Sequence, residues 1–316
     1  MNAMKDRIGH LGGRNPDALQ FPAIETHLIR SRHVQQTFKI QVMQPGQKRG
    51  AAQRFPVVYA TDGNYSFEMF KALSYMLQMS ELDSPPYILV GIGYPSDSPL
   101  AGIKLRVRDF TFPPYPQWGG FTPTPWDDVA LMPEDGAKDF YGAEDFRNFI
   151  GNELIPFIDE KYATSKGDRT YFGHSGGGFF GLFTLFSRSE LFRNYIVSSP
   201  GLTYHGVGLG GTRRENDEFA LDMARQFIAT RPKLPGVKLY MSAGAEEEFE
   251  PAVENFRLTS SLARMAKLMK DAAIPGLEVM AEIFPGETHM TAWPIAFTHG
   301  VQVTFGTRKV LRTVYY

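Results

Sequence analysis

The sequence predicts an α/β fold, a mostly parallel eight-stranded sheet with helices on both faces. Three observations point there. From about residue 56 onward, short runs rich in Val, Ile, Phe and Tyr alternate with stretches whose apolar residues recur every three or four positions, the pattern of strand, crossover helix and parallel strand. Several runs, such as Val57-Val58-Tyr59-Ala60 and Ile88-Leu89-Val90-Gly91-Ile92, are apolar throughout, as strands covered on both faces are. The composition, 43% hydrophobic and 21% charged in 316 residues, is that of a globular chain able to bury a large core.

In chain order, a short strand is expected at Thr26 to Arg30 and an alternating, half-buried strand at Thr37 to Met43, stopped by Pro45-Gly46. No helix separates these two, so they are expected to pair as an antiparallel edge. Pro56 to Ala60 reads as a buried strand closed by Asp62-Gly63, followed by a helix carrying Phe67, Phe70, Leu73 and Leu77 and a strand at Tyr87 to Ile92. Between Pro95 and Gly136 periodicity fails and Pro, Gly, Trp and Tyr accumulate, which predicts a long insertion or lid loop at the active face. Pattern returns with the stripe Phe146, Phe149, Ile150, Leu154, Phe157 and Ile158, a helix, and then a short strand at Arg169 to Phe172. Helices at Phe179 to Ser187, Asp217 to Thr230, Val253 to Ala273 and from about Ala292 alternate with strands at Tyr195 to Ser198, Val237 to Ser242 and Leu277 to Phe284. The reading is one domain over residues 1–316, with an N-terminal extension to about residue 25 and an insertion at 95–136.

Lys and Arg number 33 against 34 Asp and Glu, a net charge of −1 with no long run of one sign, so a nucleic-acid partner is not expected. There is no cysteine, which removes disulfides, thiolate nucleophiles and zinc-thiolate sites together. No apolar h-region opens the chain and no uncharged apolar stretch is long enough to span a bilayer, so the expectation is a cytoplasmic protein without membrane insertion. Oligomeric state is not legible.

Chemistry is carried by Tyr171-Phe172-Gly173-His174-Ser175-Gly176-Gly177-Gly178, a GxSxG set between a predicted strand and a predicted helix. A nucleophilic serine needs a tight, strained turn that projects its hydroxyl from the sheet, with small residues two before and two after it. The same turn aims the Gly176 amide at the point where negative charge develops. The plainer alternative is a glycine-rich turn with an incidental serine. A serine hydroxyl needs a base, and the α/β-hydrolase order is Ser, acid, His. Of seven histidines only His205, His289 and His299 follow Ser175. His205 leaves no room for an acid, and His299 falls within the closing helix. His289, in Phe284-Pro285-Gly286-Glu287-Thr288-His289, sits on a loop that returns above the elbow. The acid is expected after Val237 to Ser242, where the chain reads Ala243-Gly244-Ala245-Glu246-Glu247-Glu248. Glu247 is the choice, with Glu246 and Glu248 as alternatives, and a solvated acidic loop as the plain reading. A second oxyanion donor is expected from the Asn64 amide, after Asp62-Gly63. No metal or organic cofactor is called for.

These residues resemble a known group. Pro56 to Asn64 (PVVYATDGN), Arg106 to Thr111 (RVRDFT), Gly142 to Tyr162, the elbow GHSGGG, Leu191 to Pro200 and Gly286 to His289 (GETH) are similar to the esterase D-like α/β-hydrolases, within them to the branch of siderophore trilactone esterases. The resemblance implies an α/β-hydrolase fold, Ser175 as nucleophile, His289 as base, amides of Asn64 and Gly176 as oxyanion donors, and the acid three residues after Gly244, Glu247. Two departures lie where substrate is held: Ser199-Pro200 is followed by Gly201-Leu202-Thr203 rather than bulky aromatics, and 95–136 is unusually rich in Pro and Trp.

All three tryptophans, Trp118, Trp126 and Trp293, read as loop residues at the active face, either pinning loops or forming an aromatic acyl or alcohol pocket. Arg106 and Arg108 either meet an anionic substrate or fix Asp109 and the loop base. The scarcity of basic residues near the mouth argues against a siderophore as the ester. The expected function is therefore a serine esterase acting on a small-molecule ester through an acyl-enzyme. The alternatives are an acyltransferase or cyclase using the same intermediate, and a non-catalytic binding protein of the same fold.

Overall fold

The structure is a computed structural model that describes residues 22–46, 52–79, 83–96, 102–111, 133–138, 141–202, 213–230 and 232–308. Its centre is one eight-stranded sheet: β1 (Ile24–Arg30), β2 (Thr37–Met43), β3 (Phe55–Ala60), β4 (Ile88–Gly93), β5 (Thr164–His174), β6 (Asn194–Ser198), β7 (Val237–Gly244) and β8 (Leu277–Phe284), in the order β1-β2-β4-β3-β5-β6-β7-β8. β1 and β2 form the antiparallel edge, β2 is also antiparallel to β4, and every pairing from β4 through β3 to β8 is parallel.

Helices cover both faces because strand side chains alternate. Val58, Ala60, Leu89, Phe172, Ile196 and Tyr240 pack under α1 (Gly63–Met79) and the last helix, α8 (His289–Phe305), whose Phe70 and Phe297 rings stack at 4.1 Å. Their neighbours Val57, Tyr59, Val90, Tyr171, Val197 and Met241 face the opposite layer, built from α2 (Ile103–Phe110), α3 (Ala143–Phe149), α4 (Ile155–Lys161), α5 (Gly176–Ser187), α6 (Arg213–Ala229) and α7 (Leu258–Asp271). The stripe read as a single helix at 146–158 is α3 and α4 joined by a π-helical stretch, Ile150–Leu154.

Three local expectations are corrected. α2 lies inside the segment expected to lack regular structure. Its Arg108 and Asp109 are fully buried against each other, so these polar residues do not mark the solvent face, and at eight residues the helix is too short for its spacing to stand out among the surrounding prolines and glycines. α8 begins at His289 rather than Ala292, started by a capping box between Thr288 and Thr291. His289 and Trp293 are therefore helical rather than loop residues. The sequence Thr-His-Met-Thr hides that start because the box uses threonine where glutamate or glutamine is usual. Among the described residues no helix is long and apolar enough to cross a membrane.

Candidate active site

The carboxyl ends of the parallel strands are where an open α/β sheet presents its loops to a ligand, and the predicted residues gather there. Ser175 stands between β5 and α5 with φ 57° and ψ −121°, a strained conformation for a residue with a side chain. The fold holds it by packing and by backbone hydrogen bonds: Ser175 N–H donates to Ser198 O at 2.9 Å, and Ser175 O accepts from Phe179 N–H at 3.1 Å and Gly201 N–H at 3.4 Å. Close approach explains both flanking glycines. A Cβ on Gly173 would lie 2.2 Å from Gly177 O, and one on Gly177 would lie 2.7 Å from Thr61 Oγ1.

The segment after β7 carries the acid run as a short 3-10 turn, Glu246–Glu248, and the turn sorts its carboxylates. Glu246 points to solvent, and Glu248 accepts from Ser260 N–H and Oγ–H. Glu247 is fully buried: Oε1 accepts from Ser199 Oγ–H at 2.7 Å and Gly244 N–H at 3.0 Å, and Oε2 lies 3.5 Å from His289 Nδ1. Two loop ends are tied backbone to backbone to make this meeting, through Ala245 N–H to Phe284 O (2.9 Å) and Glu246 N–H to Glu287 O (3.1 Å). Gly244 permits it, since a Cβ there would lie 2.1 Å from Glu287 O. One contributor escaped the sequence reading. Glu250 Oε2 accepts from the His289 amide at 2.7 Å, placing a carboxylate at the positive end of α8. No spacing signal distinguishes Glu250 from its acidic neighbours.

On the other flank, Asp62 (φ 60°) turns the chain from β3 into α1, so Asn64 is the second residue of a helix rather than part of a loop. Gly176 is the first residue of α5. Amides in a first helical turn have no intrahelical acceptor, so both are disposed to receive an anionic oxygen. The Asn64 side chain has its own task. Its Oδ1 accepts from Tyr94 N–H at 2.6 Å and its Nδ2 donates to Tyr94 O and Ser96 O at 3.0 and 3.1 Å, lashing α1 to the end of β4.

Ser175, His174 and His289 share a cavity of about 250 Å³ whose other walls are Tyr65, Ile103, Arg106, Met290 and Trp293. A larger apolar hollow of about 420 Å³ lies behind the acid turn, walled by Phe249, Ala263 and Ile283, and contains neither Ser175 nor His289. Arg106 reaches the first cavity but is held from behind: Nε pairs with Asp62 Oδ1 at 2.5 Å, Nη2 donates to His174 O at 3.3 Å, and the guanidinium lies 5.0 Å from the Phe110 ring centre. Burial pushes the Asp62 carboxyl above the usual carboxylate range, against the pull of Arg106. Arg108 does not reach the cavity; it binds Asp109 through two nitrogens (2.6 and 3.0 Å) and Gln36 Oε1 (3.2 Å). Thus of the two arginines one lines the site and one fixes its base. Trp293 lines the cavity from α8, while Trp118 and Trp126, like His205, lie outside the described residues. His299 Nδ1–H donates to Glu282 Oε2 at 3.2 Å, away from Ser175. Among the described residues no group of three or more His, Asp or Glu side chains is arranged to hold a metal ion.

A strained serine, an imidazole and a buried carboxylate behind that imidazole, with two helix-start amides nearby, form an arrangement able to activate a hydroxyl and hold an oxyanion. Comparison with known proteins points the same way. The profile of the family described as "Putative esterase" matches residues 119–303. The ferri-bacillibactin esterase BesA of Bacillus subtilis is 28% identical over 92% of this chain and 92% of its own. The siderophore enterobactin esterase of Emericella nidulans is 30% identical over 59% of this chain and 54% of its own, so that alignment spans about half of the fungal protein. Among solved structures, the siderophore hydrolase EstA from Aspergillus nidulans superposes with a TM-score of 0.71 at 21% identity, covering 93% of this chain and 97% of that one. The BES protein from Bacillus cereus gives 0.69 at 23% identity, covering 89% and 94%. These two likenesses carry the fold.

Proposed function

The chain belongs to the esterase family whose profile it matches; from that premise we propose that it is a serine hydrolase that cleaves a carboxylic ester through an acyl-enzyme on Ser175, and that the ester belongs to a siderophore. The observation that carries the mechanism is the meeting of Ser175, at φ 57°, with His289 in one cavity while Glu247 lies 3.5 Å behind the imidazole.

In this reading Ser175 Oγ attacks the ester carbonyl carbon as His289 Nε2 takes the hydroxyl proton. The carbonyl oxygen becomes an oxyanion held by the amides of Asn64 and Gly176. The tetrahedral adduct collapses, His289 hands its proton to the departing alkoxide oxygen, and an ester to Ser175 remains. Water, deprotonated by His289, attacks that ester; the second collapse frees the acid and returns the proton to Ser175. Glu247, whose Oε2 lies 3.5 Å from Nδ1 of His289, stabilises the imidazolium at each transfer. No cofactor takes part in these steps. One catalytic domain spanning the sheet and its helices suffices for them.

The siderophore assignment is supported by the resemblance to BesA over nearly the whole of both chains. Tyr65 and Trp293 offer aromatic walls to such a ligand. The scarcity of cations noted in the sequence persists at the cavity, where Arg106 is the one Lys or Arg among the described lining residues and is already paired with Asp62. An iron-free, less anionic form is accordingly the better substrate. The test is to incubate the protein with a short-chain aryl ester, a fluorophosphonate and a siderophore lactone with and without iron, alongside Ser175→Ala. Wild type is expected to label and to hydrolyse, and Ser175→Ala to lose roughly 10⁴-fold or more in kcat. Absence of labelling, or an equally active alanine variant, overturns the mechanism; aryl ester turnover without lactone turnover overturns the substrate alone.

A further inference from the structure

The mechanism above leaves one histidine at the cavity unused. His174 precedes Ser175 at the end of β5 and is 2% exposed. Its Nδ1 lies 2.9 Å from Ser198 Oγ on β6, and its Nε2 has no hydrogen-bond partner among the described residues. Its ring stacks on Trp293, centroids 4.6 Å apart with an 11° tilt, and lies against His289 at 4.4 Å and 38°. His289 and Trp293 are four residues apart on α8, so they share one face of that helix. A single imidazole can therefore meet both rings.

The imidazole of His289 needs a fixed plane. Torsion about its ring bond is soft, and the 3.5 Å separation of Nδ1 from Glu247 Oε2 is too long to set the plane by a formed hydrogen bond. The other groups facing His289 are Glu250, which holds its amide, and Arg106 across the cavity. Neither packs a ring against it. His174 does, with ring centroids 4.4 Å apart and a 38° tilt, and its own rotation is tied by Ser198 and backed by Trp293. Burial above all, then the neighbouring His289 and Arg106, hold the His174 pKa well below the ordinary histidine value, so it stays uncharged. A neutral aromatic face beside a transient imidazolium attracts it, whereas a second cation would repel it.

We propose that His174 is a positioning residue for His289: its ring, tied to Ser198 and backed by Trp293, holds the plane of the His289 imidazole in line for proton exchange with Ser175. This rests on His289 being the base, as set out above. The ring face does the positioning and the tie to Ser198 keeps it in place. It follows that His174→Gln, which offers a polar atom to Ser198 but no ring, behaves like His174→Ala, while His174→Phe, which offers a ring but no tie, recovers most of the rate.

The experiment measures kcat and KM with an aryl ester, with active sites counted by exhaustive fluorophosphonate labelling so that misfolded molecules drop out of kcat. His174→Ala and His174→Gln are expected to label to full stoichiometry and to lose about 10-fold to 100-fold in kcat, the scale of a small misplacement of a reacting group, with KM within about twofold. His174→Phe is expected to return kcat to within about fivefold of wild type, and Ser198→Ala to fall between. Wild-type kcat per labelled site in His174→Ala, or a His174→Phe variant no faster than His174→Ala, overturns the proposal. Should His174→Ala fail to fold, His174→Gln decides: wild-type kcat per labelled site in that variant overturns the proposal. His289→Ala separates the two readings. If it turns over ester like wild type, the base assignment falls and the positioning with it; if it is inactive while His174→Ala is unimpaired, only the positioning falls.

Discussion

The two flanks of Ser175 are built on opposite plans. On the side of β7 and β8, Glu247 and His289 are brought together by backbone: consecutive parallel strands end side by side, Gly244 beside Phe284, and two amide-to-carbonyl bonds join their loops. On the side of β3, β4 and α2, the work falls to buried polar side chains. Asn64 grips Tyr94, the Tyr94 hydroxyl donates to Asp109 at 2.7 Å, Asp109 pairs with Arg108, and Arg108 reaches Gln36 on the far strand connection. A backbone plan tolerates change in its side chains except at the groups that react. A side-chain plan concentrates its risk, because removing one member leaves another buried and unpaired. Burial pushes the Asp109 carboxyl upward, opposed by Arg108 and the Tyr94 hydroxyl, which shows how much that carboxylate depends on its partners.

The contrast is open to attack at four points. The largest effect is expected at the reacting end of the backbone-built flank: Glu247→Gln should lower kcat/KM by about 10³-fold to 10⁴-fold, while Glu246→Gln next to it leaves kcat/KM within about twofold. Steady-state kinetics on both variants decides whether burial or mere proximity picks the acid. On the side-chain-built flank, Arg108→Met strands Asp109 and should destabilise the protein by about 3–5 kcal/mol, read as a lower urea midpoint at unchanged slope. Asn64→Ala removes three hydrogen bonds that seat the amide proposed as an oxyanion donor. A fall of about 10-fold to 100-fold in kcat, larger than any change in KM, is expected from the resulting misplacement.

The smallest effect belongs to the rim of the first flank, at Glu282 on β8. Burial raises its pKa, but hydrogen bonds from His299 and the Tyr240 hydroxyl outweigh this and bring it to about 2, from an ordinary 4.5. The unfolded chain therefore binds more protons between those values, so the stability this group contributes is fully present above pH 4.5 and lost as pH falls through about 2. Glu282→Gln should flatten the pH dependence of the urea midpoint in that acid window and lower the midpoint modestly near neutrality, where the contribution of the carboxylate is fully present. An unchanged slope would show that the cluster is too well solvated to matter.

Much of this arrangement was legible before any coordinates. Unbroken apolar runs and three-to-four spacing are local consequences of strand and helix geometry, so the eight strands, their mostly parallel sense and the antiparallel edge followed from the chain alone. GxSxG between a strand and a helix pointed to Ser175 for an equally local reason: close packing at Gly173 and Gly177 admits nothing larger. The order of strands puts His289 after β8 and the acidic run Glu246–Glu248 after β7. What failed was whatever depended on distant partners. α2 is only eight residues long, and its Arg108 and Asp109 are buried as a pair with Arg108 also bonded to Gln36, a burial that no local pattern signals. Trp293 reads as a loop residue in sequence because the box that starts α8 uses Thr288 and Thr291.

Four glutamates stand within five residues after β7, and composition cannot rank them, since each is equally acidic and equally near a strand end. Tertiary structure ranks them by direction. The turn faces Glu246 to water, engages Glu248 with Ser260, folds Glu247 under Ser199 and Gly244, and turns Glu250 to the amide of His289. Sequence by itself determined which strands end at the site and which residue types each loop brings. Only the packed fold decided which side chain of each loop turns inward, because that depends on the register between neighbouring loops and on burial, neither of which a local pattern encodes.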